Sequence, residues 1–326
     1  MGRLRGLNRT LCLVGLLCLV GLVASAGPAS GWSSPIAYTT NNSSNDVSVI
    51  DTGTNTVIAT VPVGVSPFGA EATPDGSRVY VANFGDNTVS VIDTATDTVV
   101  ATVPVGTGPI GVAVSPDESS VYVTNNGDGT VSIIDTATNT VTMTVPAGSA
   151  PVGVAVTPDG LRLYVANDGN GTVSSIDAAG TTTVAVGAAP VGVAVSPDGS
   201  HVFVTNSGDN TMSVIDTATN TVVATVQVAT KPEGVAVTPN GSWVYVANNG
   251  DGTVTVIDAV SFQLILTVVV GSAPVGVAVT PDGSRVYVAN SGDNTVSVID
   301  TATDSVTTGP VPVGTSPAAF GSFTGP

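Results

Sequence analysis

A motif that begins with an aromatic residue and ends in asparagine recurs seven times, and it constrains the fold more than any other feature of the sequence. Successive copies lie 42 residues apart, except for one interval of 39. A period of this length accommodates four short strands, the size of one β-propeller blade. The seven copies are Tyr38–Asn41, Tyr80–Asn83, Tyr122–Asn125, Tyr164–Asn167, Phe203–Asn206, Tyr245–Asn248 and Tyr287–Asn290. The sequence therefore predicts an all-β fold, a seven-bladed β-propeller with four-stranded blades.

One repeat shows how the four strands are separated. Alternating Val-x-Val patterns, typical of strands in packed sheets, fill four segments: Gly111–Ser115, Val121–Asn125, Val131–Asp135 and Val141–Val145. Turn-forming residues separate them, first Pro-Asp, then Asn-Gly-Asp-Gly, then Thr-Ala-Thr-Asn. No segment has a helical period, so we expect strands and turns throughout.

The two ends of the repeat region complement each other. The first unit, Ile36–Val63, contains the second to fourth strands of a blade but lacks the first. The segment Pro317–Thr324 resembles a first strand with nothing after it. We therefore expect the C-terminal strand to complete the N-terminal blade, which closes the ring and removes open sheet edges.

The N-terminal segment has the pattern of a secretory signal peptide. Arg3, Arg5 and Arg9 precede an apolar run at residues 11–23, and Ala24–Ala26 offers a small-residue cleavage site. An uncleaved membrane anchor is the alternative, although the run is short for a transmembrane helix. The predicted organisation is a signal peptide at 1–26, a short linker at 27–35 and the propeller at 36–326.

Charge and cysteine content narrow the functional classes. The formal net charge is −17, and removal of the signal peptide makes it more negative. Such a surface disfavours nucleic acid, and we expect no membrane insertion after signal cleavage. Cys12 and Cys18 both lie in the signal peptide, so the mature chain has no disulfide and no thiolate metal site. The predicted location is secreted or extracytoplasmic, with association to the cell surface as a hypothesis.

The repeat resembles the YVTN-repeat family of β-propellers. Tyr122-Val-Thr-Asn125 matches the motif that gives the family its name, and Pro158-Asp-Gly160 and Val91-Ile-Asp93 agree with its turn and strand end. The resemblance covers residues 36–324 and implies a secreted or surface-layer-associated propeller. More distant propeller relatives include sugar lactonases and haem- or quinone-linked redox subunits.

Three residues depart from the repeat where ligands commonly bind in propellers. Lys231 and Glu233 interrupt the lead-in to the sixth inner strand, where other blades have small or apolar residues. Glu71 replaces the alanine of other inner strands, so its carboxylate should reach into the channel water. We treat these three as candidate ligand-binding residues and, if the protein is an enzyme, as its candidate catalytic residues. The alternative is a solvated carboxylate and an exposed, weakly stabilising ion pair.

A second candidate is a ring of aspartates in the turn after the motif strand. A carboxylate ring is compatible with Ca²⁺, although aspartate in these turns is also what tight hairpins require. Turn formation is the interpretation we favour, and no other cofactor is expected. The weak metal-ligand candidates are Asp86, Asp128, Asp209, Asp251 and Asp293.

Blades five and six raise two further questions. The single histidine, His201, occupies a slot filled by arginine or tryptophan in other blades, which indicates a surface role. Phe262 and Leu264 lie near the outer edge of blade six, where they either pack locally or dock a partner.

The absence of known catalytic motifs favours a non-catalytic protein, although the sequence leaves catalysis open. It contains no Cys-x-x-Cys-His haem motif, no Gly-x-Ser-x-Gly elbow and no phosphate loop. The leading hypothesis is an extracytoplasmic binding or scaffold propeller that presents loops to a protein or glycan partner at the cell envelope. The alternatives are a lactonase-like hydrolase with a site at the channel mouth and an accessory subunit of a redox enzyme.

Overall fold

The computed structural model describes residues 35–307 and 309–319, within which 28 strands form seven antiparallel sheets. The sheets follow one another along the chain, and each packs on the next, so the predicted seven-bladed propeller is confirmed. The predicted signal peptide lies outside the described residues. In the part of the chain that is described, no helix has the length and hydropathy to cross a membrane.

The strands are numbered along the chain. Blade one contains β1–β3, blades two to six contain four successive strands each, and blade seven contains β24–β28. The inner strands of blades two to seven are β4 (Pro67–Ala72), β8 (Pro109–Val114), β12 (Pro151–Val156), β16 (Pro190–Val195), β20 (Pro232–Val237) and β24 (Pro274–Val279). The second strands, which contain the repeated motif, are β1 (Ile36–Asn41), β5 (Arg78–Asn83), β9 (Ser120–Asn125), β13 (Leu163–Asn167), β17 (His201–Asn206), β21 (Trp243–Asn248) and β25 (Arg285–Asn290).

The third strand of each blade has six residues, whereas the outer, fourth strand varies in length between blades. The third strands are β2 (Asp46–Asp51), β6 (Thr88–Asp93), β10 (Thr130–Asp135), β14 (Thr172–Asp177), β18 (Thr211–Asp216), β22 (Thr253–Asp258) and β26 (Thr295–Asp300). The outer strands are β3 (Thr56–Pro62), β7 (Thr98–Pro104), β11 (Thr140–Pro146), β15 (Gly180–Ala185), β19 (Thr221–Gln227), β23 (Leu264–Val269) and the interrupted pair β27 (Ser305–Val306) and β28 (Val311–Pro312). A 3₁₀ turn at Asp168–Asn170 joins β13 to β14.

The asparagine that ends each second strand ties three segments of its blade together. In blade two, the side-chain amide of Asn83 donates to the hydroxyls of Thr88 (3.1 Å) and Ser90 (2.9 Å) on the third strand. Its carbonyl oxygen accepts the backbone N–H of Gly64 (3.2 Å), in the lead-in to the inner strand. A Cβ at Gly64 would lie 2.6 Å from Asn83, so the lead-in glycine and the buried asparagine require each other.

The aromatic residue of the motif fills the space between blades. Tyr80, Tyr164, Tyr245 and Tyr287 are fully buried among valines from two neighbouring sheets. Burial of a side chain this size contributes about 2 kcal/mol per blade. The valine and tyrosine packing between sheets is therefore the main stabilising element of the ring.

Three tyrosines also reach the next blade through their hydroxyl groups. The Tyr164 hydroxyl donates to Asn220 (2.9 Å). The Tyr245 hydroxyl donates to Asp304 (3.1 Å), and that of Tyr287 donates to Asn55 (2.7 Å). The acceptor residues occupy the left-handed position of the turn between the third and outer strands of the next blade.

Between blades five and six, this polar contact is replaced by an aromatic one. Phe203 stands in the tyrosine slot and Phe262 in the left-handed turn position, and their rings meet edge to face at 6.3 Å. His201 packs on Phe262 at 5.3 Å and contacts the Ser200 hydroxyl at 2.7 Å. Phe262 therefore packs locally, as part of the seam between two blades.

The ring closes where the chain ends meet. Pro317 pairs with Asn41 at the end of β1, and the backbone N–H of Ala318 donates to the carbonyl of Thr40 (3.0 Å). The Arg285 guanidinium of blade seven donates to the carbonyl of Thr52 in blade one. The C-terminal segment thus takes the inner position in the first blade, as the sequence predicted; residues 320–324 of the predicted strand lie outside the described residues.

Candidate functional site

The inner strands surround a central channel whose wider part is a cavity of about 230 Å³. Its lining residues come from the second half of each inner strand and are almost all valine or alanine. Glu71 is the one charged residue among them, and it replaces the alanine of the other blades. The structure therefore places Glu71 in the channel, as expected from its slot in the repeat.

A ring of glycines narrows the channel towards the face where the inner strands begin. Gly111, Gly153, Gly192 and Gly234 line a space of only about 20 Å³. A Cβ at Gly153 would lie 2.3 Å from the carbonyl oxygen of Val191 in the next blade. These glycines allow the inner strands to approach each other closely, and they separate the wide cavity from the opening beyond.

That opening, which we call the lead-in mouth, is formed by the first residues of the inner strands and by the turns between the second and third strands. Most blades place an apolar residue immediately before this glycine, at Phe68, Ile110, Val152, Val191 and Val275. Blade one has Ala318 at the same position, followed by an alanine. In blade six this residue is Glu233, which is half-buried and directly precedes Gly234 of the constriction. Among the residues at this position of the seven blades, Glu233 is therefore the one with a carboxyl group.

The surroundings of Glu233 make it an unusual acid. Burial raises its pKa to about 7, and the negative charge of Asp168 acts in the same direction. The nearby ammonium group of Lys231 opposes this effect but does not cancel it. Lys231 is exposed, and among the described residues the only ion pair within 4.0 Å is Arg162 with Asp177. Glu233 thus has a pKa close to neutral pH, with a cation near it.

The opposite side of the lead-in mouth, at blade two, is aromatic. The rings of Phe68 and Phe84 meet edge to face with centroids 5.7 Å apart. Phe84 is 41% exposed, and neighbouring Val65 is 46% exposed. Gly108 of blade three lies under Phe84, where a Cβ would lie 3.1 Å from the ring. Blades two and six lie across the ring from each other, so the mouth has an apolar side and a charged side.

The three residues singled out in the sequence do not form one cluster. Lys231 and Glu233 share the lead-in mouth, whereas Glu71 lines the wide cavity beyond the glycine constriction. Glu71 on β4 lies three positions later in its inner strand than Glu233 does in β20. Three residues of a strand correspond to a rise of roughly 10 Å. Any chemistry at the mouth therefore depends on Glu233 and Lys231, with Glu71 in a separate compartment.

Two residues of the mouth escaped the sequence analysis. Phe84 and Asp168 both occupy the slot that directly follows the motif asparagine. The other blades have asparagine or serine there, at Asn42, Asn126, Ser207, Asn249 and Ser291. A comparison of this slot across the blades would have revealed both residues, but not that they lie near Phe68 and Glu233.

The aspartate ring makes backbone contacts within its own blades. Asp128 accepts the backbone N–H of Thr107 at 2.6 Å, and Asp86 accepts that of Val65 at the same distance. The other three aspartates of the ring, Asp209, Asp251 and Asp293, bond the equivalent lead-in residue of their blades. Among the described residues, no three His, Cys, Asp or Glu side chains are grouped so as to hold a metal ion. The calcium hypothesis thus stays a prediction, and the observed contacts are those of turn residues.

The three arginines of the described chain lie at the opposite face and bond to backbone. Arg78 donates to the carbonyl of Thr136 (2.9 Å) and Arg162 to that of Thr217 (2.7 Å), each in the following blade. Arg162 also lines a surface cavity of about 820 Å³ beside the short turn of blade four. Its guanidinium contacts Asp177 at 3.4 Å as well, so this cation is already engaged by the protein.

The fold is that of a seven-bladed β-propeller, and its central channel opens at a mouth with Glu233 and Lys231 on one side. A family model described as "Lactonase, 7-bladed beta-propeller" matches residues 33–275, well over half of the chain. The protein therefore belongs to this lactonase family of propellers.

Solved structures share the fold. A chain of Kuenenia stuttgartiensis hydrazine synthase is 26% identical with a TM-score of 0.76, covering 84% of this chain and 94% of that one. A functionally unknown protein from Desulfotomaculum acetoxidans is 20% identical with a TM-score of 0.75, covering 88% and 100%. A putative 6-phosphogluconolactonase from Bacteroides uniformis is 16% identical with a TM-score of 0.75, covering 87% and 98%. No curated protein matches the sequence.

Proposed function

We propose that the protein is a lactone hydrolase whose reaction takes place at the lead-in mouth. The observation that carries this proposal is Glu233, a half-buried carboxyl group with a pKa of about 7 at the end of the channel. A general base works best when its pKa lies near the operating pH. Membership of the lactonase family supplies the reaction class. This proposal replaces the binding-module hypothesis that the sequence alone favoured.

The proposed reaction needs only water and the lactone. The Glu233 carboxylate removes a proton from a water molecule, whose oxygen attacks the lactone carbonyl carbon. The Lys231 ammonium stabilises the negative charge that develops on the carbonyl oxygen. When the ring C–O bond breaks, protonated Glu233 returns its proton to the departing alkoxide, which leaves a hydroxy acid.

The test is hydrolysis of γ-butyrolactone and glucono-δ-lactone by the purified mature chain, followed by titration of the released acid. We expect E233Q to lower kcat by about 10²- to 10⁴-fold, because the amide cannot accept the proton. The wild-type rate should rise with pH through a midpoint near the Glu233 pKa of about 7. The matched control is E118Q, since Glu118 bonds the backbone N–H of Asp75 (2.6 Å) at the opposite face.

Two outcomes would contradict this proposal. Lactone hydrolysis no faster than in buffer would exclude the reaction class. Loss of activity in E71Q but not in E233Q would move the site to the wide cavity beyond the glycine ring.

A second candidate is a non-catalytic accessory propeller that binds a protein or glycan partner at the cell envelope. The similarity to a chain of hydrazine synthase favours it, because that enzyme is not named for lactone hydrolysis. A pull-down from envelope and culture fluid, with and without Ca²⁺, tests this role. Recovery of a specific partner by a chain that hydrolyses no lactone would support it.

We also propose export after signal cleavage and an assignment to the YVTN-type repeats. The N-terminal Arg and Leu pattern supports the first, and seven copies of the motif strand support the second. Mass spectrometry of the protein from its native source tests export. A mature N-terminus just after Ala26 is the expected result, and an intact Met1 would contradict it.

A further inference from the structure

Four departures from the repeat lie at the lead-in mouth, and they divide into two kinds. On the blade-six side the departures are charged, at Lys231 and Glu233. On the blade-two side they are apolar, at Val65 and Phe84. In the slot of Val65 the other blades have Thr107, Ser149, Ala188, Thr230, Ser272 and Thr315. In a chain of near-identical blades, such a two-sided mouth is where one particular ligand would be recognised.

The apolar departures lie around one turn of blade two, because Phe84 and Gly85 are part of that turn and Val65 lies against Gly85. Phe84 packs edge to face on Phe68 and lies over Gly108, the one glycine in a slot that elsewhere contains Ser, Ala or Lys. Val65 extends the surface over the neighbouring turn, where its side chain lies next to Gly85. Exposed aromatic and aliphatic groups arranged side by side bind apolar chains by excluding water from both surfaces.

The charges of this face disfavour an anionic ligand. Lys231 is the only cation of the lead-in mouth among the described residues, and it lies beside Glu233. The ring of turn aspartates and Asp168 surround it with negative charge. A phosphate group requires arginine, lysine or a cluster of free backbone N–H groups. The three arginines lie at the opposite face and already bond to carbonyl groups of neighbouring blades.

From this arrangement we propose that the ligands of the lead-in mouth are uncharged lactones that bear an unbranched alkyl or acyl chain. The chain lies on the surface formed by Val65, Phe68 and Phe84, and the lactone ring faces Glu233 and Lys231. The hydrolytic part of this inference rests on the proposed function, whereas the preference for an apolar chain does not. Phosphorylated sugar lactones are excluded as preferred substrates.

The experiment compares γ-butyrolactone, γ-decanolactone and 6-phospho-glucono-δ-lactone, by hydrolysis rate and by calorimetric binding. The variant is F84S, which installs the serine that blades five and seven contain at this slot, so the fold should be retained. We expect the wild type to prefer γ-decanolactone to γ-butyrolactone by about tenfold or more in kcat/KM and affinity, and F84S to lose most of this preference. N126S, the same slot in blade three, is the control and should behave as the wild type.

The outcomes separate this inference from the proposed function. Suppose that binding depends on the alkyl chain of the lactone and is weakened in F84S, but that no hydrolysis occurs. This result would contradict the proposed function and support the ligand preference. Hydrolysis without preference for the decanolactone, or with preference for the phosphorylated lactone, would overturn the ligand inference alone. Loss of the preference in N126S to the same degree as in F84S would also overturn it, since the effect would not depend on the phenylalanine.

Discussion

At the scale of single residues, Glu233 shows how the fold changes the chemistry of an ordinary side chain. Its position at the start of an inner strand takes the carboxyl group partly out of water, which raises its pKa to about 7. The sequence has three glutamates, Glu71, Glu118 and Glu233, so the carboxyl group of each can be observed separately.

We predict that one of the three glutamates titrates near neutral pH. In protein labelled with ¹³C at the glutamate carboxyl carbons, one signal should have a midpoint of about 7, and it should disappear in E233Q. The same signal should move to a higher midpoint in K231M, because the ammonium group that favours the charged form is lost. Three midpoints close to the ordinary value of a glutamate would contradict this prediction.

The raised pKa also predicts how stability depends on pH. The folded chain retains the Glu233 proton at pH values where the unfolded chain has released it, so this group stabilises the fold at low pH. The contribution is lost as pH rises from the ordinary glutamate pKa through about 7. E233Q should therefore be more stable than the wild type at about pH 8 by roughly 1 kcal/mol, a value reduced for partial exposure. At about pH 4, below the ordinary glutamate pKa, the two should unfold at the same urea concentration. An equal difference at both pH values would contradict the linkage.

At the scale of elements, the turns of each blade fix the lead-in to the inner strand. The turn aspartate bonds the lead-in backbone, and the motif asparagine reaches the glycine beside it. In blade three these contacts are Asp128 to Thr107 (2.6 Å) and Asn125 to Gly106 (3.1 Å). Side chains of the second strand and its turn therefore position the residues that form the channel mouth.

This role predicts the behaviour of the turn aspartates towards calcium. D128A removes the acceptor of the Thr107 N–H and should lower the free energy of unfolding by about 1 kcal/mol, whereas D128N retains an acceptor and should cost less. Millimolar CaCl₂ should shift the thermal midpoints of the wild type and D128A equally. A rise in midpoint with Ca²⁺ that D128A abolishes would instead support the aspartate ring as a metal site.

The repeat explains why the fold was predictable and the site was not. Every blade repeats the contact of the motif asparagine with the third strand, so periodicity alone specifies strands, turns and closure. The site depends on departures from the repeat that meet only in space: Asp168 of blade four influences Glu233 of blade six, and Phe84 packs on Phe68. Comparing equivalent positions of the repeats identifies each unusual residue. Which of these residues are neighbours in space follows only from the strand register and from the place of each blade in the ring.

At the scale of the whole molecule, closure is the one feature that no single blade contains. Blade one obtains its inner segment from the other end of the chain, through the Ala318–Thr40 bond and the Pro317–Asn41 bridge. The backbone N–H of Asn42 also donates to the carbonyl of Ser316 (3.0 Å). The ring therefore closes through a junction between residues almost 280 positions apart, Asn41 and Pro317.

A chain that lacks residues 315–326 should consequently lose more stability than the short length of this segment suggests. Its removal eliminates at least three backbone hydrogen bonds at about 1 kcal/mol each and exposes the inner edge of β1 to other molecules. We expect a lower thermal midpoint, a broader unfolding transition and self-association in sedimentation velocity. A synthetic peptide of residues 315–326 should restore the monomer and much of the lost thermal stability, whereas a scrambled peptide should not.

A truncated chain that stays monomeric and unfolds at the wild-type temperature would show that the ring is stable without its C-terminal segment. The channel mouth, which depends on all seven lead-ins in register, would then be stabilised blade by blade.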